Sequence, residues 1–182
     1  MFNRKFIFLL VFLLIFLFSG CTKKPAKKME PNNKKTLEPV DEQELYAAEP
    51  PDKFYPKMEK ASETVTIPEN VFVLQTDDIY NNFDDYKDKN IEIEGMFDYY
   101  FGPDGRRNIP AAYRRSPGCC GDDGITGFPL ELTKKDTLPE ENDWVKVVGR
   151  PVKSNITGME TVALRVISIE KMDTRGLEFV DK

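Results

Sequence analysis

The sequence predicts an all-β domain with one short helix, folded as a small Greek-key barrel of the oligonucleotide/oligosaccharide-binding (OB) type behind a disordered stalk. Three observations carry this. Five or so apolar segments of strand length lie beyond residue 63, one of them alternating strictly between apolar and polar residues. Glycines fall inside these segments where a strand would bulge or bend. Helical spacing is confined to one stretch, where Ile79, Phe83 and Tyr86 recur at intervals of four and three. Short, strongly bent strands that close on themselves leave no open sheet edge, which favours the barrel over the alternative, an open β-sandwich.

In chain order, Thr64 to Leu74 reads as one strand or two short ones, interrupted at Pro68. Thr76 is the expected helix N-cap, with Asp77 and Asp78 in the first turn, where negative charge is favoured. Ile91-Glu92-Ile93-Glu94 is a strand with both isoleucines inward, and Gly95 is read as a bulge before Met96 to Tyr100. Pro103-Asp104-Gly105 is turn chemistry. Strands are expected over 111–115, 125–132 (weakened by Pro129), 144–152 (with a bulge at Gly149) and 160–171, with a turn at 155–158. In the last strand the inward positions slip from Val162, Leu164 and Val166 to Ile167 and Ile169, the mark of another bulge.

The chain opens with Arg4 and Lys5, an apolar run from Phe6 to Phe18, and Ser19-Gly20-Cys21. A short basic region, an apolar stretch too short to span a bilayer and small residues before a cut form a secretory signal. Ser-Gly-Cys at this place resembles the lipobox of bacterial lipoproteins, which implies acylation of Cys21 (palmitate among the acyl groups) and a cell-envelope location outside the cytoplasm. The expected organisation is a signal peptide over 1–20, a lipidated Cys21 and disordered linker over 21–62, a barrel domain over 63–172 and a C-terminal tail over 173–182. The linker is rich in Lys, Glu, Asn and Pro and lacks apolar periodicity.

Composition narrows the chemistry. There is no histidine, so His-based triads, His-ligated zinc and His general acid–base catalysis are absent. Removing Arg4 and Lys5 lowers the 26 basic residues to 24 against 31 acidic ones, a mature net charge of about −7. Nucleic acid is therefore not an expected partner, and no catalytic residue is assigned.

The segment that stands out is Tyr113-Arg114-Arg115-Ser116-Pro117-Gly118-Cys119-Cys120-Gly121-Asp122-Asp123-Gly124. With Cys21 lipidated, Cys119 and Cys120 are the remaining thiols. Three readings are open: a metal site using both sulfurs with Asp122 or Asp123, suited to zinc or another thiophilic ion; a strained vicinal disulfide formed outside the cytoplasm; or small residues packed at a turn. Arg114 and Arg115 are candidate anion contacts, against the simpler reading that they pair with carboxylates.

Cys119, Cys120 and Asp123, followed by an apolar strand and Trp144-Val145-Lys146-Val147-Val148-Gly149, resemble the C-terminal domain of the YcgQ-like family of bacterial proteins, with a Cys-Cys-x-x-Asp core. The resemblance covers roughly residues 70–170 and includes the Tyr86 to Ile91 lead into the first barrel strand. It implies an accessory envelope protein, with a permease or other envelope protein as partner and a role in metal handling, rather than a known enzyme. A scaffolding lipoprotein and a thiol-redox protein are the alternative expectations. If the lipobox reading holds, Cys21→Ser abolishes incorporation of labelled palmitate in growing cells and leaves an unprocessed precursor, both visible on one gel.

Overall fold

The computed structural model describes residues 46–119, 121, 124–133 and 138–181. The expectations for the signal sequence, Cys21 and the Lys-rich part of the stalk lie outside the described residues, as do Cys120, Asp122 and Asp123. Among the described residues no helix is long and apolar enough to cross a membrane.

The all-β class with a short helix is observed. The elements are β1 (Thr64–Thr66), α1 (Phe72–Asn81), α2 (Phe83–Tyr86), β2 (Asn90–Phe101), β3 (Arg107–Ser116), β4 (Gly124–Glu131), β5 (Trp144–Ser154) and β6 (Thr161–Lys171). The pairing runs β2–β3–β4–β6–β5 and returns from β5 to β2, so the sheet closes into a ring. All junctions in the ring are antiparallel except β4–β6, which is parallel, and β1 adds outside the ring as a parallel partner of β2. Phe97, Ala112, Phe128, Leu130, Val147 and Leu164 fill the interior, and the buried face of α1 (Phe72, Val73, Ile79) packs onto the same core.

Closing a small ring requires one strand to serve two neighbours, and β2 does so. Its first half pairs with β5 and its second half with β3, with Met96 opposite both Trp144 and Tyr113. Gly95 sits beside this junction. It is not the bulge expected of it, because its register with Val145 is continuous. A Cβ there would lie 2.6 Å from the Tyr113 carbonyl oxygen, so glycine is required by the close approach of β3. The bulge at the end of β6 is where the phase slip put it. Val148 pairs with Ser168 and Gly149 with Val166, leaving Ile167 as the extra residue.

Other expectations are corrected. Only Thr64–Thr66 of the first segment is strand; a 3₁₀ turn at Glu69–Val71 leads directly into α1. Thr76 is thus a buried interior residue of the helix, whose N-cap is Val71. Phe72, Val73, Thr76 and Ile79 form one helical face, and burying it outweighs the strand preference of a short run rich in valine.

The linker expected to run unstructured to 62 also gives way sooner. Residues 46–61 form a strap on the barrel: Ala48 bridges to Arg107, the Tyr55 N–H donates to the Leu132 carbonyl, and the Ala61 N–H donates to the Asn90 side chain. The tail is likewise held, with Phe179 bridged to Arg115 and Val180 buried. Backbone hydrogen bonds and ion pairs order both segments, and neither leaves a hydrophobic period in the sequence. Gly95→Ala should destabilise the domain by about 2 kcal/mol through the forced displacement of β3, lowering Tm by roughly 5–10 °C in a thermal melt.

Candidate functional site

β3 and β4 form a hairpin whose ladder ends at the Ser116–Gly124 pair. Beyond it the Gly118 N–H donates to the Gly121 carbonyl oxygen at 2.5 Å, closing a tight turn in which Cys119 is the described residue and is exposed. The glycines have a steric reason to be there. Gly121 has φ of +140°, which an L side chain rarely adopts. At Gly124 a Cβ would lie 2.7 Å from the Pro117 oxygen and 2.8 Å from the Ser116 oxygen. At the hairpin base the Thr126 hydroxyl donates to the Ser116 hydroxyl at 2.9 Å. Exposure of Cys119 excludes the packed-turn reading for that residue. Among the described residues no group of three or more Cys, Asp or Glu is placed to hold a metal, and Cys120, Asp122 and Asp123 are not among them.

The two arginines named with this segment separate. Arg115 is exposed on β3, and its backbone N–H and carbonyl bond to Glu178 and Val180 of the tail. Arg114 has the same strand parity as core residue Ala112 and is 1% exposed. Its Nη1 donates to Glu69 Oε1 at 2.8 Å and to the Leu177 carbonyl at 3.0 Å, and its Nε to the Glu94 carbonyl at 2.7 Å. The guanidinium lies 4.9 Å from the ring centroids of both Phe72 and Trp144. A buried cation with these partners cannot serve as a contact for an outside anion, so the candidate role of Arg114 gives way to pairing with a carboxylate.

This arrangement fixes the barrel beneath the turn. The Leu177 N–H also donates to Glu69 Oε1 at 3.0 Å, and a Cβ on Gly176 would strike that oxygen, so the tail crosses close over the ion pair. Arg175 adds a second cation over Trp144, 6.0 Å from its centroid, and is hydrogen-bonded to Glu178 and to the Asn142 carbonyl. The one signal for Arg114 as a core residue is its strand parity with Ala112, which stands against the general rule that arginine is rarely buried.

Exposed apolar side chains border the turn. Ile125 lies opposite Arg115 in the β3–β4 ladder, Phe179 is bridged to Arg115 from the tail, and Leu177 follows closely; all three are exposed.

The Arg114 side chain, bonded to the Glu69 carboxylate, and the Leu177 N–H hold that carboxylate below the ordinary glutamate range. A carboxylate with a depressed folded pKa contributes stability above its unfolded value, about 4.3, and loses it as pH falls through the lower folded value. Wild type should therefore melt above a Glu69→Gln variant at pH 7. The gap should close once the pH is well below 4, as read from Tm across a pH series.

Neither a curated protein nor a solved structure matches the chain significantly. A family model does, and its limits take in the strap at one end and the tail at the other. Matching residues 45–179, most of the sequence, it shows that the chain belongs to the DUF1980 C-terminal domain family.

Proposed function

We propose that this protein is a lipid-anchored accessory of the bacterial cell envelope whose barrel holds a thiophilic metal ion at the turn carrying Cys119 and Cys120, with Asp123 or Asp122 as the oxygen ligand. One observation carries the reading: Cys119 is exposed on a turn closed by the Gly118–Gly121 hydrogen bond and mounted on a closed barrel. An exposed cysteine beside a second one in sequence is suited to a soft ion such as zinc or Cu(I). The Cys-Cys-x-x-Asp run of this chain, on which the YcgQ-like resemblance rests, would supply the remaining ligands. The lipobox at Cys21 supplies the anchor, and an envelope protein such as a permease is the natural recipient of a bound ion. The ring of five strands with one parallel junction is consistent with an OB-type barrel, an architecture given to binding rather than to one chemistry.

A scaffolding role is the second reading, favoured by exposed Ile125, Leu177 and Phe179 beside the turn. Exposed apolar side chains grouped around one strand end are a protein-docking feature.

The test is metal content. The full chain, purified anaerobically in detergent and exposed to limiting zinc, should retain close to one equivalent by elemental analysis. Cys119→Ser, Cys120→Ser and Asp123→Asn should each lose most of it without a change in Tm of the apo protein. Equal metal content in the wild type and a double Cys→Ser variant overturns the proposal.

A further inference from the structure

Among the described residues, exposed apolar side chains gather in two places on the barrel. One group, Ile125, Leu177 and Phe179, borders the cysteine turn. The other is at the beginning of β3, about 30 Å away along that strand at 3.4 Å per residue. There Tyr46 of the strap and Phe101 at the end of β2 are 55% and 51% exposed, and they meet edge to face with ring centroids 6.1 Å apart. Single exposed apolar residues are ordinary on a protein surface, but two aromatic rings held against each other in the open form a patch.

The pair is fixed from beneath. Arg107, opposite Phe101 in the β2–β3 ladder, donates through Nη1 to the Tyr46 carbonyl at 2.6 Å and through Nε to the Tyr99 carbonyl at 3.1 Å. Ala48 bridges to the same arginine. The β5–β6 turn adjoins, since a Cβ on Gly158 would lie 2.9 Å from Pro103 of the β2–β3 loop, and Met159 next to it is more exposed than either ring.

Two observations say what covers this pole. The first is where the tether arrives. With lipid on Cys21, the 24 residues 22–45 separate the anchor from Tyr46, and a chain of that length reaches at most about 80 Å. A barrel kept within that distance of a bilayer meets it at an effective concentration on the order of 1 mM, so contacts too weak to hold a free protein suffice. The second is charge. Arg106 pairs with Glu49, Asp52 and Asp104, and Arg107 with Asp98 and Glu141, so five carboxylates share two arginines around the rings. Such surroundings are repelled by a net-negative surface and accept one whose headgroups carry an ammonium beside each phosphate. The amphipathic ring of Tyr46 and the apolar ring of Phe101 suit the boundary between headgroups and acyl chains. We propose that this pole docks on the interface of a zwitterionic bilayer, with Tyr46 and Phe101 entering the boundary between headgroups and acyl chains. The docking rests on the lipid-anchor reading of Cys21 and settles which end of the barrel faces the membrane; the cysteine turn is at the far end of β3.

The test uses the full lipidated chain in vesicles of phosphatidylcholine and phosphatidylethanolamine that carry acyl-brominated lipid, which quenches a tryptophan on close approach. Trp144 is buried and gives the wild-type baseline. The emission added by Phe101→Trp should fall by about half, the loss expected of a ring seated at the headgroup–acyl boundary. The emission added by Leu177→Trp, at the other end, should be unchanged. Combining Tyr46→Ser with Phe101→Trp should reduce the quenching about twofold, through loss of one of two rings. Replacing half of the phosphatidylcholine with phosphatidylglycerol at low salt should reduce it as well. Equal quenching of the two tryptophan probes, or stronger quenching of Phe101→Trp on the phosphatidylglycerol vesicles, overturns the proposal. Flotation of the same samples separates the causes. A chain that floats with the vesicles without preferential quenching overturns the docking alone, and one that does not float overturns the anchor and the docking together.

Discussion

The burial of Arg114 is the constraint on which the rest of the domain depends. A guanidinium removed from water costs several kcal/mol unless its donors are met and its charge is balanced. Here the balance comes from four separate parts of the chain: Glu69 from the turn before α1, the Glu94 carbonyl from β2, the Leu177 carbonyl from the tail, and the rings of Phe72 and Trp144. None of these is near Arg114 in sequence. The helix, the barrel and the tail must all be in place for any one of them to be satisfied, so a local ion pair becomes a condition on the global fold. The Arg175–Trp144 contact extends the same arrangement outward to the surface.

The strand that leads to the cysteine turn is held by this arrangement. Arg114 and Cys119 lie on the same short run of chain, with Arg115 between them pinned through its backbone to the tail and Ser116 bonded to Thr126 across the hairpin. Gly121 and Gly124 stand where a Cβ would demand a strained backbone or collide, and the Gly118 N–H donates the bond to the Gly121 carbonyl.

Much of the fold was legible because barrel strands leave period-two patterns. The slip from Val166 to Ile167 marks a bulge in the last strand, and the turns at 103–105 and 155–158 follow from proline, asparagine and glycine alone. What was not legible has a common cause. At the start of α1, Val71-Phe72-Val73 is apolar with two β-branched valines, and a run that short does not separate the two periods. The strap was read as linker because it is held by backbone donors such as Glu49 N–H and Tyr55 N–H, and by Arg106 bonded to Glu49 and Asp52. Such interactions depend on residues some fifty positions away and leave no local pattern. Gly95 and Arg114 were misjudged for the related reason that a close approach and a buried charge are properties of the partner, not of the segment. Of the site itself, the cysteines and glycines could be seen in advance; the aromatic pair at the other end could not, since its rings come from the strap and from β2.

The bridge between Ala48 and Arg107 has a mechanical consequence. The chain leading up to Tyr46 is received at the beginning of β3, whereas the cysteine turn emerges from that strand's end. Tension or tethering applied upstream is therefore delivered to one pole of the barrel and taken up by the strap's hydrogen bonds. The cysteine turn, at the opposite end of β3, takes no part in that attachment among the described residues.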